Sequence, residues 1–72
     1  MTLLEFKRRE LKLTQAEVGK MLGINPACIT QIERQHRRPW PKLRKQLAKV
    51  LKLKEAELFN DEGWPKKVKI AG

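Results

Sequence analysis

The stretch from Gln15 to Arg34 constrains the fold of this chain more than any other part of it. Its apolar residues have the spacing of two short amphipathic helices that follow one another. They are Val18, Leu22, Ile24, Ile29 and Ile32. Gly19 and Gly23 stand where two helices meeting at a steep angle would leave no room for a side chain. Because the apolar spacing and the glycines agree, the stretch predicts two helices joined by a sharp turn.

The first of these helices has a start signal and a stop signal. Thr14 is followed three residues later by Glu17, a pair typical of a capping box, in which each side chain binds a free backbone N–H of the other residue. The helix is therefore expected to begin at about Gln15. It is expected to end near Leu22, because Gly23 can adopt the left-handed conformation of a helix stop.

The second helix has an equally clear start. Asn25 can cap it, and Pro26 suits the first helical turn, where its missing N–H costs nothing. We expect this helix to run to about Arg34. The connection between the two helices is short, which forces a steep crossing and predicts a helix-turn-helix whose second helix can enter a DNA groove.

The rest of the chain predicts three more short helices and an all-α fold. The first spans Leu3 to Leu11, one opens at Pro41, and the last runs from residue 54 or 55 to Phe59. In the first helix, Phe6 extends the apolar stripe. The chain has 72 residues, which is the length of a single domain. We therefore expect a compact bundle of five short helices.

The helical pattern fails after Asn60, so we divide the chain into a helix-turn-helix domain over 1–60 and a basic C-terminal tail over 61–72. Within the tail, Val68 to Ile70 alternates like a short strand, too short to stand alone. Two interpretations remain open. The tail is either flexible and frayed, or an arm that pairs with a second subunit or with a partner protein.

The positive charge of the chain is concentrated in one segment. The net charge is +9, and between Arg34 and Lys54 there are nine basic residues and no acidic one. These residues are Arg34, Arg37, Arg38, Lys42, Arg44, Lys45, Lys49, Lys52 and Lys54. Such a block attracts polyanions. A basic face that only aids solubility is the alternative, but beside a helix-turn-helix the pattern favours double-stranded DNA as the partner.

Composition argues against several other classes of function. No apolar run is long enough to span a membrane, and the N-terminus lacks the pattern of a signal peptide. The single cysteine cannot form an internal disulfide, and no Cys or His cluster predicts a metal site. One histidine and no convergent pair of carboxylates leave no basis for an enzyme. We expect a cytoplasmic protein without a cofactor, a metal or a membrane association.

The segment LTQAEVGKMLGINPACITQIER, followed by RRP and LAKVLKL, resembles the phage repressor and Cro family of XRE-type, lambda repressor-like helix-turn-helix proteins. The resemblance covers about Leu3 to Phe59. It implies a bundle of five helices that binds operator DNA as a dimer. Two positions depart from the family pattern: Lys12 and the Arg34-Gln35 pair stand where relatives often have glycine or asparagine.

Residue roles follow from the resemblance together with the exposed face of the third helix. The residues expected to contact bases are Pro26, Ala27, Cys28, Thr30 and Gln31. Of these, Gln31 can bind adenine through two hydrogen bonds, while Ala27 and the Thr30 methyl can meet a thymine methyl. The residues expected to contact phosphate are Gln15, Arg34, Arg37, Arg38 and Lys42. The resemblance also implies a structural ion pair between Arg8 and Glu33.

These observations predict a sequence-specific DNA-binding transcriptional regulator, such as a small phage or mobile-element repressor, acting as a homodimer. The alternative is an antitoxin-like interaction module that also binds DNA and holds a protein partner through its tail. The expected reading set is poor in strong hydrogen-bonding groups, and this observation motivates the alternative.

Overall fold

A computed structural model describes residues 1–68 and has the predicted all-α architecture. The described residues form α1 (Leu3–Glu10), α2 (Gln15–Leu22), α3 (Pro26–Glu33), α4 (Pro41–Leu51) and α5 (Glu55–Leu58). In that part of the chain, β pairing is limited to isolated bridges. None of the helices described is long and apolar enough to cross a lipid bilayer.

The predicted start signals are present at α2 and α3. The Thr14 hydroxyl accepts a hydrogen bond from the backbone N–H of Glu17, and the Glu17 carboxylate accepts one from the N–H of Thr14, both at 3.0 Å. At α3, the Asn25 side chain accepts from the N–H of Ala27 at 2.9 Å. These caps satisfy backbone donors that have no partner inside a helix. The capping box and the Asn25 cap are therefore confirmed.

A residue with a left-handed backbone stands at or just after the end of each of the first four helices, whether or not it is glycine. Gly23 ends α2 with φ 68°, as predicted. Lys12, Gln35 and Lys52 also have positive φ, at 58°, 61° and 59°. The two positions that depart from the family pattern therefore keep the geometry that glycine would provide. Side chains there carry a steric cost that glycine would avoid.

Gly19 and Gly23 serve different purposes. A Cβ atom on Gly19 would lie 2.7 Å from the carbonyl oxygen of Ile24, so the close approach of the turn requires glycine. A Cβ atom on Gly23 would meet nothing within 4 Å. The expectation of a crowded site is correct for Gly19 and wrong for Gly23, which is required for its positive φ alone.

The core lies where α3 and α4 meet the other helices. Ile29 and Ile32 of α3 are completely buried, and so are Leu43 and Leu47 of α4. The core also contains Leu4, Val18, Cys28, Ala48, Leu51, Leu58 and Phe59. Phe6 is 43% exposed, so the prediction that it extends the buried stripe is wrong.

Residues 60–68 lie against the helical domain of the same chain. The backbone N–H of Leu3 donates to the carbonyl of Lys66, and the N–H of Lys66 donates to the carbonyl of Leu58, both at 2.8 Å. The Gln35 side chain donates to the carbonyl of Pro65, also at 2.8 Å. Residues 69–72 and most of the predicted strand over 68–70 lie outside the described residues. The role of 61–72 as an arm for a second subunit or a partner protein stays a prediction.

Candidate nucleic-acid interface

One face of α3 is directed away from the core. Pro26, Ala27 and Gln31 are exposed, and Thr30 is half-buried. Their orientation follows from helical periodicity, because Ile29 and Ile32 hold the opposite face in the core. The structure therefore places four of the five residues expected to contact bases along an accessible helix face.

The predicted role of Cys28, the fifth of those residues, needs correction. Its side chain is 9% exposed and belongs to the hydrophobic core. It lies four residues before Ile32, so the buried stripe of α3 includes it. Its Sγ accepts a hydrogen bond from an Arg37 Nη at 3.8 Å. We do not retain Cys28 as a base-contacting residue.

Arg8 and Glu33 form a buried ion pair that joins α1 to α3. Arg8 Nε donates to Glu33 Oε2 at 2.5 Å, and Arg8 Nη2 donates to Oε1 at 3.1 Å. Arg8 Nη1 donates to the carbonyl of Leu13 at 2.7 Å, which ties the pair to the loop before α2. The two charges are paired through both carboxylate oxygens, the geometry in which a buried carboxylate is tolerated.

Gln15 extends this network to the exposed face of α3. Its Nε2 donates to Glu33 Oε1 at 2.9 Å, and its Oε1 accepts from the Thr30 hydroxyl at 2.7 Å. The sequence predicts a phosphate contact for Gln15, whereas its contact with Thr30 was not predicted. Nothing in the local pattern points to this contact, because it joins residues on two different helices.

An open, basic cleft lies beside this network. Gln15, Thr30 and Arg34, three of the predicted site residues, line it together. Two basic residues outside the predicted set, Arg9 and Lys12, line it as well. The local pattern of α1 does not predict that Arg9 and Lys12 lie beside Gln15 and Thr30, because this proximity depends on tertiary contacts.

The loop after α3 and the first turn of α4 carry the remaining basic residues of the predicted set. Arg37 and Arg38 are exposed, and so is Lys42 in the first turn of α4. Arg38 lines a separate cleft with Trp40 and donates to the carbonyl of Glu62 at 3.4 Å. The structure thus does not gather all predicted phosphate-contacting residues into one pocket. Gln15 and Arg34 line the first cleft, whereas Arg37, Arg38 and Lys42 lie along the surface that follows the end of α3.

Arg44 differs from the other basic residues of the segment. It donates from Nη1 to the carbonyl of Pro39 at 2.7 Å and from Nε to Glu55 at 3.3 Å. This side chain connects the loop, α4 and α5. It therefore contributes to the internal structure more than to the exposed positive surface.

The helix-turn-helix family model matches residues 4–58, most of the chain. No curated protein and no solved structure matches the chain at a significant level. The matched segment contains the capped α2 and α3, the turn at Gly23 and the exposed face of α3. The family consists of DNA-binding regulatory domains and is generally not enzymatic. The chain therefore belongs to the XRE-type helix-turn-helix family of phage repressor and Cro-like proteins, and it is a DNA-binding regulator.

Proposed function

We propose that this protein is a sequence-specific repressor that inserts α3 into the major groove of operator DNA as a homodimer. The observation that carries the proposal is the exposed face of α3, which is held outward by Ile29 and Ile32 and followed by exposed basic residues. The major groove admits an α-helix, and its base edges distinguish all four base pairs.

The proposal divides the surface into two parts. Pro26, Ala27, Thr30 and Gln31 contact base edges, and Gln31 recognises adenine through two hydrogen bonds. Phosphate contacts come from residues around the cleft and from the loop after α3. These are Gln15, Arg34, Arg37, Arg38 and Lys42. Phosphate contacts orient the protein and supply much of its affinity, but they carry no sequence information.

A homodimer fits the small size of the reading face. Four side chains on one helix contact only a few base pairs, and two copies double the length of the recognised sequence. Helix-turn-helix dimers bind half-sites roughly one helical turn apart, about 10 base pairs. We therefore expect an operator with two related half-sites at this spacing.

Selection of operators from random DNA at physiological salt tests the proposal. We expect the wild-type protein to enrich a motif with two half-sites. Gln31→Ala should lose the preference for adenine at one position. Gln31→Glu should shift the preference at that position towards cytosine, because a carboxylate accepts a hydrogen bond from the cytosine amino group. The idea fails if the wild-type protein enriches no sequence.

A double variant, Arg37→Ala with Arg38→Ala, provides the comparison. It should weaken binding to all sequences alike and lower the dependence of log K on log salt by roughly 0.9 for each phosphate that the variant no longer neutralises. Equal effects of this variant and Gln31→Ala on base preference would contradict the assigned roles. Sedimentation of the protein with and without the selected DNA measures the oligomeric state and stoichiometry.

A further inference from the structure

We propose that Thr30 determines specificity by accepting a hydrogen bond from the exocyclic amino group of adenine or cytosine. The inference rests on the proposed function, in which α3 lies in the major groove. A threonine hydroxyl can in general either donate or accept a hydrogen bond, and here the Thr30 hydroxyl is left only as an acceptor towards the DNA.

The donors and acceptors in this hydrogen-bond chain follow from the charge of Glu33. Both oxygens of this buried carboxylate accept hydrogen bonds from Arg8. A carboxylate paired with a guanidinium is ionised and has no hydrogen to donate. Gln15 must therefore turn its NH₂ group towards Glu33, and the distance from Nε2 to Oε1 is 2.9 Å.

The orientation of the Gln15 amide then determines that of Thr30. With its NH₂ group turned to Glu33, Gln15 directs its carbonyl oxygen to the Thr30 hydroxyl, at 2.7 Å. A carbonyl oxygen only accepts, so Thr30 must be the donor. The second oxygen near this hydroxyl, the carbonyl of Pro26 at 3.2 Å, is also only an acceptor.

The hydroxyl of Thr30 has one hydrogen, and both neighbouring oxygens in the protein can only accept a hydrogen bond from it. Whichever of them receives it, the hydrogen is directed into the protein. Only lone pairs of Oγ1 remain for a partner on the DNA. Thr30 is half-buried and lines the open cleft with Arg34, so such a partner can reach it.

This polarity separates the bases into two classes. Adenine N6 and cytosine N4 carry amino hydrogens in the major groove, whereas guanine O6 and thymine O4 are acceptors. The Thr30 oxygen, acting as an acceptor, forms a hydrogen bond with the amino group of adenine or cytosine. Against guanine O6 or thymine O4 it faces another acceptor, and no hydrogen bond forms. Serine and threonine can contact either class in general, so the choice here comes from Gln15 and the buried ion pair behind it.

The test uses the operator that the selection yields, with single bases replaced by analogues that lack one amino group. Purine replaces adenine, and pyrimidin-2-one replaces cytosine. At one position of the half-site, we expect this deletion to weaken wild-type binding roughly three- to tenfold, as for the loss of one hydrogen bond. Binding by Thr30→Val, which has nearly the same shape and no hydroxyl, should be unaffected by the deletion at that position.

Thr30→Ser is the matched control. It keeps the hydroxyl and its inward hydrogen but loses the methyl group, so it should remain sensitive to the amino deletion. Circular dichroism establishes that each variant is folded. If Thr30→Val does not fold, Thr30→Ala makes the same comparison.

Two results would overturn the inference. In the first, Thr30→Val changes the base preference at a position where the operator selected by the wild-type protein has guanine or thymine. In the second, amino deletions weaken wild-type protein and Thr30→Val equally at every position. Either result leaves the proposed function intact, because the wild-type protein still selects an operator. A wild-type protein that selects no motif overturns both proposals.

Discussion

The Arg8 guanidinium and the Glu33 carboxylate are joined by two hydrogen bonds in the interior of the domain, at 2.5 and 3.1 Å. Their side chains are 8% and 1% exposed. Arg8→Met would leave the Glu33 charge buried without its partner, and we expect a loss of about 3–5 kcal/mol in the free energy of unfolding. Urea denaturation measures this loss.

The exposed ion pair between Lys7 and Glu10 is the control. Its atoms are 2.7 Å apart, but its side chains are 25% and 52% exposed. Lys7→Ala should cost at most about 1 kcal/mol, since solvent screens exposed pairs. Combining Arg8→Met with Glu33→Leu should cost less than the sum of the single changes, because no unpaired charge remains. A cost for Arg8→Met as small as that for Lys7→Ala would contradict the role of the buried pair.

Gly19→Ala should destabilise the protein even though alanine favours a helix by about 1 kcal/mol over glycine. The added Cβ would lie 2.7 Å from the Ile24 carbonyl, and we expect a net loss of about 1–3 kcal/mol from the forced shift of the backbone. Thermal unfolding provides the measurement. Gly23→Asn is the comparison, and it should be close to wild type because asparagine tolerates positive φ and space is open there. A stabilised Gly19→Ala would refute the close approach.

Lys12→Gly and Lys52→Gly should each raise the free energy of unfolding by about 1 kcal/mol, because glycine removes the strain of positive φ. Chemical denaturation measures the gain. Lys12→Ala and Lys52→Ala remove the charge and keep the strain, so they should show no such gain. Gln35→Gly should gain less, since it also removes the bond from Gln35 to the Pro65 carbonyl. Equal gains from the glycine and alanine variants would point to charge instead of backbone strain.

Lys42→Ala should reduce the salt dependence of DNA binding, by roughly 0.9 in the slope if Lys42 contacts one phosphate. Lys49→Ala is its matched control, because both lysines are exposed on α4. Residues seven apart share a face of the helix and differ by about 10 Å along its axis. Titrations of DNA at several salt concentrations should show a smaller slope for Lys42→Ala only. Identical slopes for both variants would remove Lys42 from the interface.

Glu17 links stability to pH through the capping box. Its hydrogen bond from the Thr14 backbone N–H, with a smaller effect of the Thr14 side chain, holds the pKa of the Glu17 carboxyl below its usual value of 4.5. The stabilisation is therefore present above that value and is lost as pH falls through the lowered pKa of the folded state. Glu17→Gln can keep the cap without titrating. Below pH 4.5, the melting temperature of the wild type should fall more steeply than that of the variant; parallel curves would exclude the linkage.

Local signals in the sequence were enough for the helices and for most of the core. Thr14, Glu17, Asn25 and Pro26 act on backbone groups within three residues of themselves, so their effect is readable without the fold. The burial of Ile29 and Ile32 follows from periodicity along one helix. Cys28 belongs to the same buried stripe. Helical periodicity predicts its burial, whereas the family resemblance predicts a base contact, and the periodicity was the better guide.

Contacts between elements depended on the tertiary structure. The partner of Gln35 is Pro65, which is thirty residues away, and Phe6 is 43% exposed although it continues an apolar stripe. Residues 60–68 have no helical pattern, yet their backbone forms hydrogen bonds with residues at the start of α1 and the end of α5. Such contacts leave no periodic signal in the sequence.

The stretch from Gln15 to Arg34 shows both parts of this division. Its sequence alone determined that two capped helices meet at a turn and that one face of α3 is exposed, because capping and periodicity are local properties. Only the tertiary structure decided that Gln15 faces both Glu33 and Thr30. The direction of a hydrogen bond depends on which acceptor lies opposite, and packing α1, α2 and α3 together brings those acceptors into place.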